Sequence, residues 1–231
     1  MRRLIADKED TEQVFHIIEA LNGDVTRRAF LKFAASDAGA RQLARKVDLP
    51  PMLDDHDTLS KLPDGSVGRA YVAFMQREGL SAAGLVAESQ KHRDRHAAYD
   101  DDFLWYINRL RDTHDLDHVL TGYGRDALGE ASLLGFSHGQ HGGMGISFIA
   151  FMGAREIAKH VPRTAKIANV VKEGRHNGVQ ARPIVYEDIE TLLREPLDAA
   201  RERLGIPKPV KYKRALQIIN EAGLEPALIA A

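Results

Sequence analysis

FLWYINRLRDTHDLDHVL, residues 103–120, is the stretch that decides how this chain folds. Phe103, Ile107, Leu110, His114 and His118 recur at spacings of three and four, which places them on one row of a helix. A cap near Thr113 is the one interruption the stretch suggests. The reading is an amphipathic helix whose buried stripe ends in two imidazoles. Gly122 and Gly124 close it, and residues 125–141 read as the next helix, folded back as an antiparallel partner.

Outward from that hairpin, helical spacing continues to dominate. Val14, Ile17, Ile18 and Leu21 form a stripe that stops at Asn22-Gly23. Asp24 opens a second helix with Phe30, Leu31 and Ala34 on one face. PPMLDDHDTL (50–59) and the following LPDGS (62–66) read as loop and turn. Tyr71, Phe74 and Met75 restart a helix that stops near Gly79 and resumes at Ser81. Further helices are expected over 146–160, 162–172 and 187–204, the last bent at Pro196 and closed by Gly205. Residues 174–179 read as a turn, and 182–186 as the one short strand candidate.

These elements predict an all-α protein: a single multi-helix domain over 1–206, with a central antiparallel helical hairpin carrying a metal site. An amphipathic extension follows over 207–231, with Tyr212, Leu216 and Ile219 at helical spacing. That extension needs a surface to cover, on the body or on a partner, and a homodimer is the assembly it suggests.

Composition excludes several classes of function. At 231 residues the chain can bury a sizeable core without staples. Its 32 Lys+Arg balance 33 Asp+Glu, so charge gives no reason to expect a nucleic-acid partner. With no Cys, there are no disulfides, thiolate ligands or cysteine nucleophiles. MRRLIADKEDTEQ (1–13) turns charged before any apolar run forms, which is not a secretory signal. No run reaches the roughly 20 apolar residues that span a bilayer. The expectation is a protein that is soluble or lies on a membrane surface.

The chemistry centres on His114-Asp115-Leu116-Asp117-His118. At about 100° per residue, His118 lies about 40° from His114 and Asp115 about 100°, while Asp117 falls about 60° to the other side. Two imidazoles and the Asp115 carboxylate can therefore converge. Burying them beside a core costs several kcal/mol unless each is satisfied, and a divalent ion satisfies all three at once. Glu130 would lie about 18 Å along a continuous helix, but the Gly122–Gly124 turn lets it face the histidines across the hairpin. Two nitrogens and two carboxylates suit zinc, iron(II) or manganese. The plain readings also stand here: two helical histidines as ordinary residues, Asp115 as a cap, Glu130 as a solvated acid. An HD-type phosphohydrolase site is a further rival, with His92-Arg93-Asp94 and His96 as its material.

The spacing His-Asp-x-x-His, eleven residues, then Glu resembles the signature of the coenzyme Q (ubiquinone) biosynthesis protein family of the Coq-four type. RDTHDLDHVLTGYGRDALGEASLLGF (111–136) is similar to that family's central block almost throughout. LPDGSVGRAYVAFM (62–75) and IETLLREPLDAARERLGI (189–206) resemble its flanking blocks. The resemblance implies an all-helical fold and one divalent metal ion held by His114, Asp115, His118 and Glu130, which would act in catalysis through that metal. It implies an oxidative decarboxylase, a carbon–carbon lyase, that replaces the ring carboxylate of a polyprenylated 4-hydroxybenzoate derivative by a hydroxyl. Its partners would be that prenylated ring substrate, other ubiquinone biosynthetic enzymes and a membrane surface. The expected location is peripheral to the cytoplasmic membrane, on the cytoplasmic side, in a bacterium, or on the matrix face of the inner membrane in a mitochondrion. The family's other attributed role is a non-catalytic prenyl-lipid-binding scaffold. A metal-dependent hydrolase of phosphate compounds is the more distant alternative.

Two departures from the family pattern stand out: SHGQHGG (137–143) and the tail after Pro207. His138 and His141 share the Glu130 helix face and are candidates for lining a substrate cavity; the plain reading is an exposed, Gly-rich helix end. Gly139, Gly142, Gly143 and Gly145 would let a prenyl tail pass close to the backbone. Lys172, Arg175, His176 and Arg182 bracket the expected 174–179 turn and could meet a carboxylate, a phosphate or anionic headgroups, or form only a solvated surface. Asp117 reads as a partner of the ligands or a surface acid, and Arg125 as a residue that closes the hairpin. The apolar runs LWYI and MGISFIAFM suit either a prenyl tunnel or a core.

Overall fold

Side-chain caps start several of the helices in the computed structural model, which describes residues 24–90 and 100–225. In chain order the helices are α1 (Val25–Ala34), α2 (Asp37–Arg45), α3 (Leu49–Asp54), α4 (His56–Leu59), α5 (Val67–Glu78), α6 (Ala82–Gln90), α7 (Asp101–Asp112) and α8 (His114–Thr121). They continue as α9 (Ala127–His141), α10 (Met144–Ile157), α11 (Ile167–Gln180), α12 (Ile189–Arg194), α13 (Leu197–Leu204) and α14 (Val210–Glu221). Ser66, Asp100 and Asp126 each accept a backbone N–H in the first turn of α5, α7 and α9, satisfying donors the helix cannot. Gly79, at φ 66°, ends α5 in the left-handed conformation that glycine adopts without penalty.

No strand occurs among the described residues, so the expected all-helical class holds. Residues 182–186 instead form a single 3-10 turn, Ile184–Tyr186, behind Pro183. The stretch expected as loop at 50–59 is two short helices, with Pro50 and Pro51 in the first turn of α3, where a missing N–H costs nothing. Leu31, placed on the inner face of α1 by its spacing, is 58 % exposed, and Phe33 is buried in its stead. The stripe of Val14 to Leu21 lies outside the described residues, as do His92 and His96.

The described helices group into two compact units, each built from distant stretches of chain. The first comprises Arg27–Leu120 and Pro183–Leu204, so it holds most of α1, then α2 to α7, most of α8, and α12 and α13. Phe30, Phe33, Phe103, Tyr106 and Val185 form one apolar cluster in it. The Phe33 and Tyr106 rings lie 5.0 Å apart. Arg109 is only 2 % exposed, yet its guanidinium is satisfied: Nε donates to the Val185 carbonyl at 2.9 Å and Nη2 to the Glu187 carbonyl at 2.5 Å. Ser66 and Pro196 make a single antiparallel bridge, through Val67 N–H to the Glu195 carbonyl and Leu197 N–H to the Gly65 carbonyl. That bridge ties the start of α5 to the start of α13.

The second unit comprises the described residues of Met1–Thr26, Thr121–Arg182 and Gly205–Ala231. Its main contact is α9 against α11, and glycine decides how close they come. A Cβ on Gly174 would sit 2.3 Å from the Ser132 carbonyl oxygen, and one on Gly178 2.0 Å from that of Phe136. Gly135 and Gly139 face α11 in the same way. Two Gly-x-x-x-Gly faces therefore meet backbone to backbone. Gly174, expected to belong to a turn, lies inside the continuous helix α11, because its missing side chain serves packing rather than chain reversal. Gly139 is likewise not a passage for a prenyl tail; the α11 backbone fills the space beside it. α14 packs on α11: Tyr212 donates a hydrogen bond to the Asp126 carboxylate, and its oxygen accepts the Gly124 N–H at 2.9 Å. Asp126 also caps α9, so the C-terminal helix braces that cap.

Candidate metal centre

The helix predicted over residues 103–120 breaks once, at Thr113. Its backbone is at φ −90°, ψ −1°, and its hydroxyl donates to the Arg109 carbonyl at 2.9 Å. α7 thus ends at Asp112, and after Thr113, His114 opens α8. Within α8 the helical turn alone then brings His114, Asp115 and His118 together. One ligand atom from each lies within 4.8 Å of the others.

Asp115 is 7 % exposed and His118 1 %, while His114 is half-buried. The two imidazoles meet edge to face, with ring centres 4.9 Å apart and planes at 86°. Phe74, from α5, stacks on His118 at 5.5 Å with an interplanar angle of 22°. An apolar ring on one face limits how the imidazole can turn and keeps water off it. The far end of α8 is held too: Arg201, from α13, donates to the carbonyls of Leu120 at 2.9 Å and Val119 at 3.1 Å. A guanidinium there satisfies carbonyls the helix leaves open.

Asp117, one turn position away, does not belong to the group. Burial pushes its carboxyl up to about 7, against an opposing pull from His118. Asp112, buried at the end of α7, is also raised by burial, with Arg111 at 2.6 Å drawing it back down.

The donor set fits a divalent ion. Two imidazole nitrogens and one carboxylate oxygen are the ligands that zinc, iron(II) and manganese take, with positions left for further ligands. Glu130 stands in the first turn of α9, in the second unit, where Arg125 Nε lies 3.4 Å from its Oε1. The helix expected as the antiparallel partner of that of His114 and His118 packs against α10 and α11 within its own unit.

The other sequence candidates lie in the second unit. His138 and His141 lie in the last turn of α9. His138 Nδ1 is engaged with the Gly143 carbonyl at 3.0 Å, and burial pushes the His141 imidazole down to about 4. Gly142 and Gly143, at φ 74° and 96°, make the turn into α10. Arg175 and His176 are exposed along α11, and Arg182 is exposed just beyond it. Sequence reasoning missed Phe74 and Arg201 as supports of the cluster and gave no functional role to Tyr71 or Arg109. Tyr71 and Phe74 were visible as a three-residue spacing on one helix; nothing local marks either arginine.

Comparison with known proteins bears on this arrangement. The sequence model of a family described as "Coenzyme Q (ubiquinone) biosynthesis protein Coq4" matches residues 4–210. A mitochondrial ubiquinone biosynthesis protein COQ4 homolog of Rattus norvegicus is 28% identical over 207 residues, 87% of this chain and 75% of that protein. The mitochondrial ubiquinone biosynthesis protein coq4 of Neosartorya fischeri is 25% identical over 191 residues, 80% of this chain and 62% of that one. The crystal structure of a Nostoc punctiforme protein superposes with a TM-score of 0.65 at 20% identity, covering 89% of this chain and 94% of that one. The superposition shows the shared helical fold.

Proposed function

This chain belongs to the coenzyme Q (ubiquinone) biosynthesis protein Coq4 family, and we propose that within that pathway it is a metal-dependent oxidative decarboxylase. Its substrate is a polyprenylated ring derived from 4-hydroxybenzoate. The ring carboxylate leaves as carbon dioxide and a hydroxyl from water takes its place, a two-electron oxidation balanced by reduction of dioxygen to hydrogen peroxide. The observation that carries this reading is the convergence of His114, Asp115 and His118 in a largely buried site. Glu130 keeps the role that the family signature gives it, a fourth ligand, on the sequence alone. A divalent ion bound there supplies positive charge for the substrate's oxygens and, as iron or manganese, redox capacity that zinc lacks.

The chain's own residues do the rest. Asp115 places a buried negative charge that favours a cation. Phe74 holds His118 and excludes water from its face. Arg201 keeps the carbonyl end of α8 in place. No helix among the described residues is long and apolar enough to cross a membrane, so a prenylated substrate is met at the surface. Met144, Phe148 and Phe151, along α10, are 68 %, 39 % and 59 % exposed, and an apolar stripe of this kind suits a membrane face. The same stripe favours the second reading, a prenyl-lipid-binding scaffold for the other ubiquinone biosynthetic enzymes.

Metal analysis of purified protein, with His118→Ala and Glu130→Ala tested in cells lacking the native activity, separates the two readings. The decarboxylase predicts folded variants without metal, no ubiquinone, and accumulation of the carboxylated ring. Folded, metal-free variants that still restore ubiquinone would sink it.

A further inference from the structure

One buried polar group on α5, the helix that stacks Phe74 on His118, has no use in the fold itself. Tyr71, on α5, is completely buried, and its hydroxyl has no hydrogen-bond partner among the described residues. Leaving a hydroxyl dry and unpaired forfeits its hydration with nothing in return, and phenylalanine would fill the same space without that penalty. His56 approaches the Tyr71 ring edge-on at 6.4 Å, and its Nε2 is likewise buried and unpartnered. Two buried polar atoms without partners, on neighbouring rings, leave hydrogen-bonding capacity for a polar guest.

The guest's position follows from the helix. Tyr71 and Phe74 are three residues apart on α5 and share a face, and Phe74 stacks on His118. The phenol also feels Asp115, together with Asp54 and Asp112: burial first, and then these three carboxylates, hold it protonated well above its ordinary range. Asp54 is already committed to the N–H groups of Ala82 and Ala83, at 2.6 and 2.8 Å, and Asp112 to Arg111. What remains is a protonated phenol with its proton free to donate, on the helix whose Phe74 stacks on His118.

We propose that Tyr71 is a substrate-contacting residue whose hydroxyl donates a hydrogen bond to a carboxylate oxygen of the ligand bound at that group, with His56 lining the same place. This rests on the reading that a divalent ion and a carboxylate-bearing ring occupy the cluster. Negative ligands would otherwise be repelled by Asp115, Asp54 and Asp112. Among the three, only Asp115 belongs to the proposed ion's ligands.

The test compares the full chain with Tyr71→Phe, metal-free and zinc-loaded, using 4-hydroxybenzoate as the probe and phenol as the probe lacking a carboxylate. Metal-free Tyr71→Phe should unfold at the same or a higher urea midpoint than wild type. Its zinc affinity, read by chelator competition, should stay within about threefold, while 4-hydroxybenzoate binding weakens roughly tenfold and phenol binding does not change. A lowered midpoint in the metal-free protein would show that the hydroxyl serves the fold and would overturn the proposal. Unchanged 4-hydroxybenzoate affinity would overturn it while leaving the metal and substrate readings intact. Wild type that takes zinc but neither probe would remove the ring-substrate reading and this proposal together. Wild type that takes no zinc would remove the metal reading at its root.

Discussion

The phenyl ring of Phe74 lies on the imidazole of His118, their centres 5.5 Å apart and their planes 22° from parallel. The contact joins α5 to α8, and Phe74 is only 5 % exposed. Phe74→Ala should cost about 3 kcal/mol of stability through the cavity it opens. It should also weaken zinc binding by roughly tenfold, because His118 is then free to turn. Phe74→Leu should recover most of the stability but not the affinity. Urea denaturation and chelator competition on the three proteins would show whether the two losses separate.

The crossing of α9 and α11 predicts opposite effects for one substitution at different glycines. Gly174→Ala and Gly178→Ala each drive a methyl into a backbone carbonyl, at 2.3 and 2.0 Å, and should cost about 2 kcal/mol or more. Gly153→Ala, on α10, meets nothing nearer than the Ala131 Cβ at 3.7 Å. It should be neutral or stabilise by up to about 1 kcal/mol through helix propensity. Equal melting temperatures for the three variants would contradict the close approach.

Arg109 should prove essential to the first unit through the Val185 and Glu187 carbonyls rather than through the His114–Asp115–His118 group. Burial lowers its guanidinium to about 10, which still leaves it charged at neutral pH. Arg109→Met would strand the Val185 and Glu187 carbonyls and cost roughly 2–4 kcal/mol. Arg109→Lys should rescue little, since one ammonium cannot reproduce a fork that reaches both carbonyls. Thermal unfolding of the two variants, alongside metal content, checks the point.

His141 predicts a pH dependence of stability. Its folded imidazole titrates at about 4 because burial disfavours the charged form, whereas the unfolded chain takes up the proton near 6.5. Between those values the unfolded state binds more protons. Stability is therefore complete above about pH 6.5, declines as pH falls towards 4, and levels off below. Part of the residue remains accessible, so the expected loss is about 1–3 kcal/mol. His141→Gln should flatten that slope in urea melts taken from pH 7 to 4.5; a slope identical to wild type would assign the dependence to other groups.

Much of the site was legible because it is local. His114, Asp115 and His118 lie within one helical turn, so angular position alone separates Asp115 from Asp117, and the structure groups the former. The end of α5 was legible for the same reason: Gly79 acts on a residue three positions away. The glycines of α11 misled, since Gly174 carries the same local signal whether it reverses a chain or admits a neighbouring helix.

The sequence by itself determined an all-helical chain, the family it belongs to, and the His114–Asp115–His118 group, because periodicity, capping and motif spacing are properties of neighbouring residues. Only the tertiary structure decided that Gly174 and Gly178 receive the α9 backbone, and that Arg201 closes the end of α8. It also decided that Phe74 covers His118 and that the Tyr71 hydroxyl is buried without a partner. Each of these depends on groups tens of residues away in the chain, whose approach is set by packing and by the need to satisfy buried polar atoms. No local pattern encodes that approach.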